Sequence, residues 1–171
     1  MSHPLDDPAM RDQVIDAMKV SVQQAFETMA FMKVECDGLT PKTKGAPRGA
    51  LSGSIGLTGR ATAADIPLRG NIALVFPNMD LAKVVFRSMM MMEPGSEVNV
   101  DEIKDAVGEL ANMVAGGAKS QLQDNGFDIG LGLPTVVVGE NHYLEVPADT
   151  VSFVVPVKAE AGTFFLTLSF N

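Results

Sequence analysis

The chain has 171 residues, 46% of them hydrophobic and 20% charged, which is enough to bury the core of one domain. Its formal net charge of −8 argues against nucleic-acid binding, and its short, interrupted apolar runs argue against a membrane span. Its one cysteine, Cys36, cannot form an internal disulfide, so we expect a cytoplasmic protein. We also expect residues 1–171 to form one domain, with about residues 1–7 flexible.

A long helix is predicted near the N-terminus. Asp7 followed by Pro8 has the pattern of a helix cap with proline at the first helical position. Apolar residues then recur at helical spacing for about four turns. They are Ile15, Met18, Val22, Phe26 and Met29.

The next part of the chain is predicted to be extended. Turn-forming and basic residues over 37–48 predict a loop. Strands are predicted at 50–59 and 68–77, and we expect the polar insert 60–67 between them to be a long hairpin connection.

Two helices are predicted in the middle of the chain. Asn78 can cap a short one that reaches about Met91, and we interpret the methionine run 89–92 as adaptable core packing. After the break at 93–95, Asn99 and Glu102 form a capping-box-like start for a long helix, 100–124, which Asn125-Gly126 ends.

Four β-branched and aromatic runs follow and predict strands at 131–139, 142–147, 151–160 and 162–170. The segment from Gly70 to Phe76 resembles the segment from Gly162 to Leu168, a weak sign of duplication. The fold class predicted is therefore α+β, with a large, mainly antiparallel sheet, two long helices packed on one face, and a pseudo-duplicated arrangement.

The long helix 100–124 has two different faces when its residues are placed about 100° apart. We expect one face to pack on the sheet, with Gly117 allowing a close approach. It carries Ile103, Val107, Leu110, Val114, Gly117 and Gln121. The other face is predicted to be exposed and presents a carboxylate, an amide and a glycine, which would let another protein's backbone approach closely. It carries Asp105, Glu109, Asn112, Gly116 and Gln123.

The spacing Asp105-x-x-x-Glu109-x-x-Asn112, followed 22 positions later by Pro134, resembles the signature of the CheC/CheX family of chemotaxis phosphatases. The surrounding segments DAVGELANMVAGGAKSQL, GLGLPTVVVG, RGNIALVFP and GTFFLTLSF extend the resemblance over about residues 8–170. CheC carries two such pairs on pseudo-equivalent helices. Here the first helix has Glu27-Thr-Met-Ala30 without an asparagine, so the chain most resembles CheX, with a single site.

The resemblance implies a phosphatase that hydrolyses the aspartyl phosphate of a CheY-type receiver domain in two-component or chemotaxis signalling. Asn112 would hold the attacking water and Glu109 would pair with the receiver's lysine, while Asp105 and Gly116 would contact the partner. The Mg²⁺ would belong to the receiver, so the chain needs no cofactor or metal of its own. Similarity to CheX also implies a homodimer.

Two alternatives remain at the level of sequence. One is a non-catalytic module that binds a receiver, or a flagellar-switch-like module, because the same fold builds the middle domain of FliM-type proteins, which lack this pair. The other is an α+β domain that binds a small ligand or lipid, since 11 methionines could line a pocket.

Overall fold

The computed structural model describes residues 4–38, 40, 41, 47–146 and 148–171. The helices are α1 Pro8–Met29, α2 Met79–Met89 and α3 Val100–Asp124, and a 3-10 helix spans Pro4–Asp6. The strands are β1 Glu35–Cys36, β2 Thr40–Pro41, β3 Gly49–Ala61, β4 Ile66–Phe76, β5 Phe127–Leu131, β6 Thr135–His142, β7 Val151–Ala159 and β8 Gly162–Phe170.

All eight strands of the described residues belong to one antiparallel sheet, in the order β1-β7-β8-β4-β3-β5. β2 pairs with β7 on the same side as β1, and β6 pairs with β3 on the same side as β5. If β1/β2 is exchanged with β5/β6, β3 with β7, and β4 with β8, the result is the same strand order read from the opposite edge of the sheet. The two halves therefore have matching arrangements, and the predicted α+β class is confirmed.

The two resembling segments lie on β4 and β8, which pair at the centre of the sheet. Leu74 pairs with Leu166, and these residues occupy the same position in the two segments. The axis that relates the two halves therefore passes through this pair.

The long helices cover one face of the sheet. Phe26 of α1 stacks on Phe164 of β8, with ring centroids 4.7 Å apart. On β3, a Cβ added at Gly53 would lie 3.0 Å from Val107 Cγ1 of α3, so the absent side chain lets α3 approach the strand. Because Gly53 and Phe164 lie on the same side of the sheet by register, α1 and α3 share that face.

The connection between β3 and β4 is shorter than the sequence predicts. The two strands take up half of the insert 60–67, and the turn is only residues 62–65. Arg60 closes it through an ion pair with Asp65, 2.7 Å between Nη1 and Oδ1. The extra length of β3 also explains β5, which was not predicted, because residues 57–61 provide the edge with which β5 pairs.

The predicted strand 142–147 is wrong for the residues that the structure describes. Only His142 is extended, as the last residue of β6, and Pro147 lies outside the described residues. Asn141 has a φ of 58° and turns the chain. Tyr143 then lies under Arg48, 4.4 Å from ring centroid to Cζ, instead of continuing a ladder.

Short elements lie before β3 besides the predicted helix. Leu5 is buried within the 3-10 helix Pro4–Asp6, and Asp7 caps α1 by accepting from the Ala9 N–H. Residues 1–3 lie outside the described residues. Within the predicted loop 37–48, Thr40–Pro41 form β2, and residues 39 and 42–46 are not described.

Candidate functional site

Glu109 and Asn112 both lie on the exposed face of α3, as predicted. The helix runs without a break, and its first turn is capped by Asn99, whose side chain accepts from the Asp101 N–H at 2.8 Å. Residues three apart on such a helix have Cβ atoms about 5–6 Å from each other. The carboxylate and the amide are therefore presented to solvent as neighbours.

Neither side chain has a bonding partner among the residues that the structure describes. Among the described residues, Glu109 has no ion pair and Asn112 has no side-chain hydrogen bond. An exposed, unpaired carboxylate and amide contribute little to folding. Both groups can therefore bind a partner without first breaking an internal contact.

Asp105 and Gly116 lie on the same face. Asp105 is exposed one turn before Glu109, and a Cβ added at Gly116 would meet nothing within 4 Å.

Gly117 was expected to allow a close approach to the sheet, and this expectation is wrong. Its added Cβ would lie 2.5 Å from Ser21 Oγ, so this glycine allows a close approach of α1 and not of the sheet. Ser21 Oγ also donates to Val114 O at 2.5 Å, which joins the two helices at this crossing.

Two grooves border the Glu109–Asn112 pair. The one beside Asn112 has a volume of about 560 Å³ and lies between α1 and α3, with Gln24 and Thr28 on the α1 side. The one beside Glu109 has about 420 Å³ and lies between α3 and the end of α2. Sequence reasoning did not find either groove, because spacing within one helix does not reveal which helices lie next to it.

Pro134 of the sequence signature lies against α3. A Cβ built on Gly108 would be 3.8 Å from the Pro134 ring, one residue before Glu109. The preceding Leu133 is 88% exposed, and Gly132 holds this loop on β3 by donating to Gly56 O at 2.9 Å. The loop between β5 and β6 is thus fixed beside the pair.

The first helix does not carry a second pair in the structure. Glu27 is exposed, but Ala30 is the buried C-cap of α1. A side chain at position 30 would therefore point into the protein and not into solvent, which agrees with a single site.

Metal-binding side chains do not gather in the part of the chain that the structure describes: no group of three or more His, Cys, Asp or Glu could hold a metal ion there. No helix of the described residues is long and apolar enough to cross a membrane. Cys36 lies on β1, where burial raises the pKa of its thiol; Lys19 acts in the opposite direction, and Asp37 adds the smallest effect by raising the pKa further. It lies on the opposite edge strand of the sheet from β5 and β6, outside the site.

The duplicated antiparallel sheet with two long helices on one face, carrying an exposed carboxylate–amide pair, defines an α+β protein of the CheC-like class. The family model described as chemotaxis phosphatase CheX matches residues 51–158, more than half of the chain. The chain therefore belongs to the CheX family. No curated protein sequence matches the chain.

Solved structures have the same fold. CheX from Vibrio vulnificus is 28% identical, with a TM-score of 0.80 over 92% of this chain and 99% of that one. A CheC-like superfamily protein from Shewanella sp. PV-4 is also 28% identical, with a TM-score of 0.78 over 93% and 97%. The CheX-CheY-BeF3-Mg²⁺ complex from Borrelia burgdorferi is 19% identical, with a TM-score of 0.67 over 91% and 95%, and its likeness concerns the fold.

Proposed function

We propose that the chain is a cytoplasmic phosphatase that hydrolyses the aspartyl phosphate of a CheY-type receiver domain. The observation that carries the proposal is the Glu109–Asn112 pair, exposed and unpaired among the described residues of a CheX-family chain. Its substrate class follows from the family and from the chemistry of the pair.

An acyl phosphate is reactive without strong acid or base catalysis, so positioning of water can supply most of the rate enhancement. The side-chain oxygen of Asn112 accepts a hydrogen bond from a water held in line with the phosphorus. The water oxygen forms a bond to phosphorus while the bond to the aspartyl oxygen breaks. The products are inorganic phosphate, which keeps the protons of the attacking water, and the receiver's free aspartate carboxylate. An amide has no useful basicity, so Asn112 positions the water and does not take its proton.

Glu109 pairs with a lysine of the receiver and thereby docks α3 on the receiver's active site. Charge-assisted hydrogen bonds of this kind contribute about 1.5–3 kcal/mol. Asp105 adjusts the same docking from one turn away, and Gly116 leaves room for the receiver's backbone. The Mg²⁺ is part of the substrate, because it is held by the receiver's acidic residues.

Replacement of Asn112 by alanine tests the proposal. Phosphate release from a CheY-type receiver phosphorylated with acetyl phosphate should fall about a hundredfold at saturating receiver, since misplacing a reacting group has effects of this size. The exposed side chain adds little to stability, so the free energy of unfolding should change by less than about 0.5 kcal/mol.

Gln123→Ala is the matched control, because it removes another exposed amide from the same face of α3. It should leave turnover unchanged. Equal turnover in Asn112→Ala and the unaltered protein would contradict the catalytic role. Tight receiver binding without any turnover would instead favour a module that binds and sequesters the receiver.

A further inference from the structure

The groove beside Glu109 combines an apolar wall with an acidic wall. The apolar wall comes from the end of α2 and the residues after it, and the acidic wall comes from α3. The first consists of Phe86, Met90 and Met92, and the second carries Glu102, Asp105 and Glu109. The two acidic residues next to Glu109 extend its negative charge along the groove.

The methionine run is only partly core, unlike its interpretation from sequence. Met89 and Met92 pack against the core, whereas Met90 is 50% exposed and Met91 is 78% exposed. Met90 and Met92 line the groove together with Phe86, and contiguous exposed apolar surface is typical of sites that bind other proteins. Methionine is also adaptable enough to fit partners of irregular shape.

The backbone after α2 has an unfavourable residue at its turn. Met92 N–H donates to Arg87 O at 2.9 Å and Met91 N–H donates to Ser88 O at 3.3 Å, which is the Schellman pattern. The residue at this turn has positive φ and is usually glycine, but here it is Met91 with a φ of 53°. The turn therefore holds methionine where stability alone favours glycine.

The charges select the kind of partner. In the described part of the chain, none of the three carboxylates has an ion pair, and no lysine or arginine lines the groove. The three carboxylates disfavour an acidic partner surface at this groove. The groove fits an apolar side chain with positive charge beside it. Glu109 belongs both to the groove and to the proposed receiver contact, so the two surfaces are continuous.

We propose that this groove is a second docking site for the receiver domain, taking an apolar side chain that lies next to the receiver's lysine. The inference rests on the proposed function, because it assumes that Glu109 meets that lysine. Met90 acts in binding and does not touch the reacting atoms. Its loss should weaken receiver affinity and raise KM while kcat at saturating receiver stays the same.

The experiment is a titration with a CheY-type receiver loaded with beryllofluoride and Mg²⁺, together with turnover of the same receiver phosphorylated by acetyl phosphate. Met90→Ser should raise Kd and KM about fivefold or more, as truncation of a central apolar contact does. Met90→Leu keeps the apolar side chain and should stay within about twofold of the unaltered protein. The half-exposed position makes both variants compatible with folding.

Val84→Ser is the matched control, because Val84 is also exposed on α2 but borders a different groove. It should leave Kd and KM unchanged. Equal Kd and KM for Met90→Ser and Val84→Ser, or a lowered kcat in Met90→Ser, would overturn the docking groove alone when Asn112→Ala still lowers turnover about a hundredfold. Failure of the unaltered protein to bind or dephosphorylate the receiver would overturn the proposed function and the groove together.

Discussion

Substitutions at Glu109 can separate the effect of its charge on receiver binding from the effect of its side-chain shape. Its carboxylate is exposed and has no ion pair with a described residue, so substitutions there should act on the partner and not on folding. Asn112, one turn later, has a different role in the proposal, since it holds water and does not carry charge. The two residues should therefore affect different kinetic constants.

We expect Glu109→Lys to weaken receiver binding more than Glu109→Gln. Glutamine removes the attraction to the receiver's lysine, which should raise Kd about tenfold, whereas lysine adds repulsion and should raise it about a hundredfold. Titration of the beryllofluoride-loaded receiver measures both. Glu160→Lys, at the exposed turn between β7 and β8, makes the same change in net charge away from the site. Equal Kd values for the two Glu109 variants would count against the ion pair.

At the scale of elements, the adjacent glycines of α3 serve different contacts. Gly116 faces open space, whereas Gly117 lies against Ser21 where α1 crosses α3. Glycine within a helix costs about 1 kcal/mol relative to alanine, so each position has a separate reason to keep it. At Gly117 the reason is the helix crossing, and at Gly116 the proposed reason is the approach of the receiver.

We therefore predict opposite effects of alanine at the two positions. Gly116→Ala should stabilise the protein by about 0.5–1 kcal/mol from helix propensity and at the same time weaken receiver binding. Gly117→Ala should destabilise it by about 1 kcal/mol, because displacing Ser21 Oγ breaks its buried hydrogen bond to Val114 O. Urea unfolding measures both changes, and the receiver titration measures the binding. A Gly116→Ala protein with undiminished affinity would remove this glycine from the docking surface.

At the scale of the whole molecule, β6 forms one edge of the sheet together with β5. It pairs with β3 and with no other described strand, and its Val137 and Val138 are 36% and 41% exposed. The other strongly apolar run, in β7, lies between β8 and the short strands β1 and β2. An open apolar edge favours pairing with another chain, and a two-fold dimer would close it.

We propose that the protein is a homodimer that pairs through β6, with the α3 site of each subunit free to bind a receiver. Sedimentation equilibrium at micromolar concentration should give twice the chain mass of 18.1 kDa. The net charge of −8 on each chain opposes the association only slightly at physiological salt. Lysine at both Val137 and Val138 should produce a monomer, because charged side chains block edge pairing. A concentration-independent mass of 18.1 kDa for the unaltered protein would refute the dimer.

The sequence alone determined those features that depend on local spacing. The bounds of α3 follow from the capping residue Asn99 and from Asn125-Gly126 at its end. The buried stripe of α1 and the exposure of Glu109 and Asn112 follow from helical periodicity, which assigns each residue to a face. The strands β7 and β8 follow from β-branched and aromatic runs in the same way. The fold class followed because these elements can bury their apolar faces only against each other.

Only the tertiary structure decided which elements became neighbours. Residues 57–61 of β3 provide the edge with which β5 pairs, and Gly117 allows α1 to cross close to α3. The turn after α2 put Met90 in solvent beside Glu109 and not in the core. Such outcomes depend on contacts between residues distant in sequence, which local periodicity does not encode. The grooves on either side of the site therefore came from packing, whereas the pair between them came from spacing along one helix.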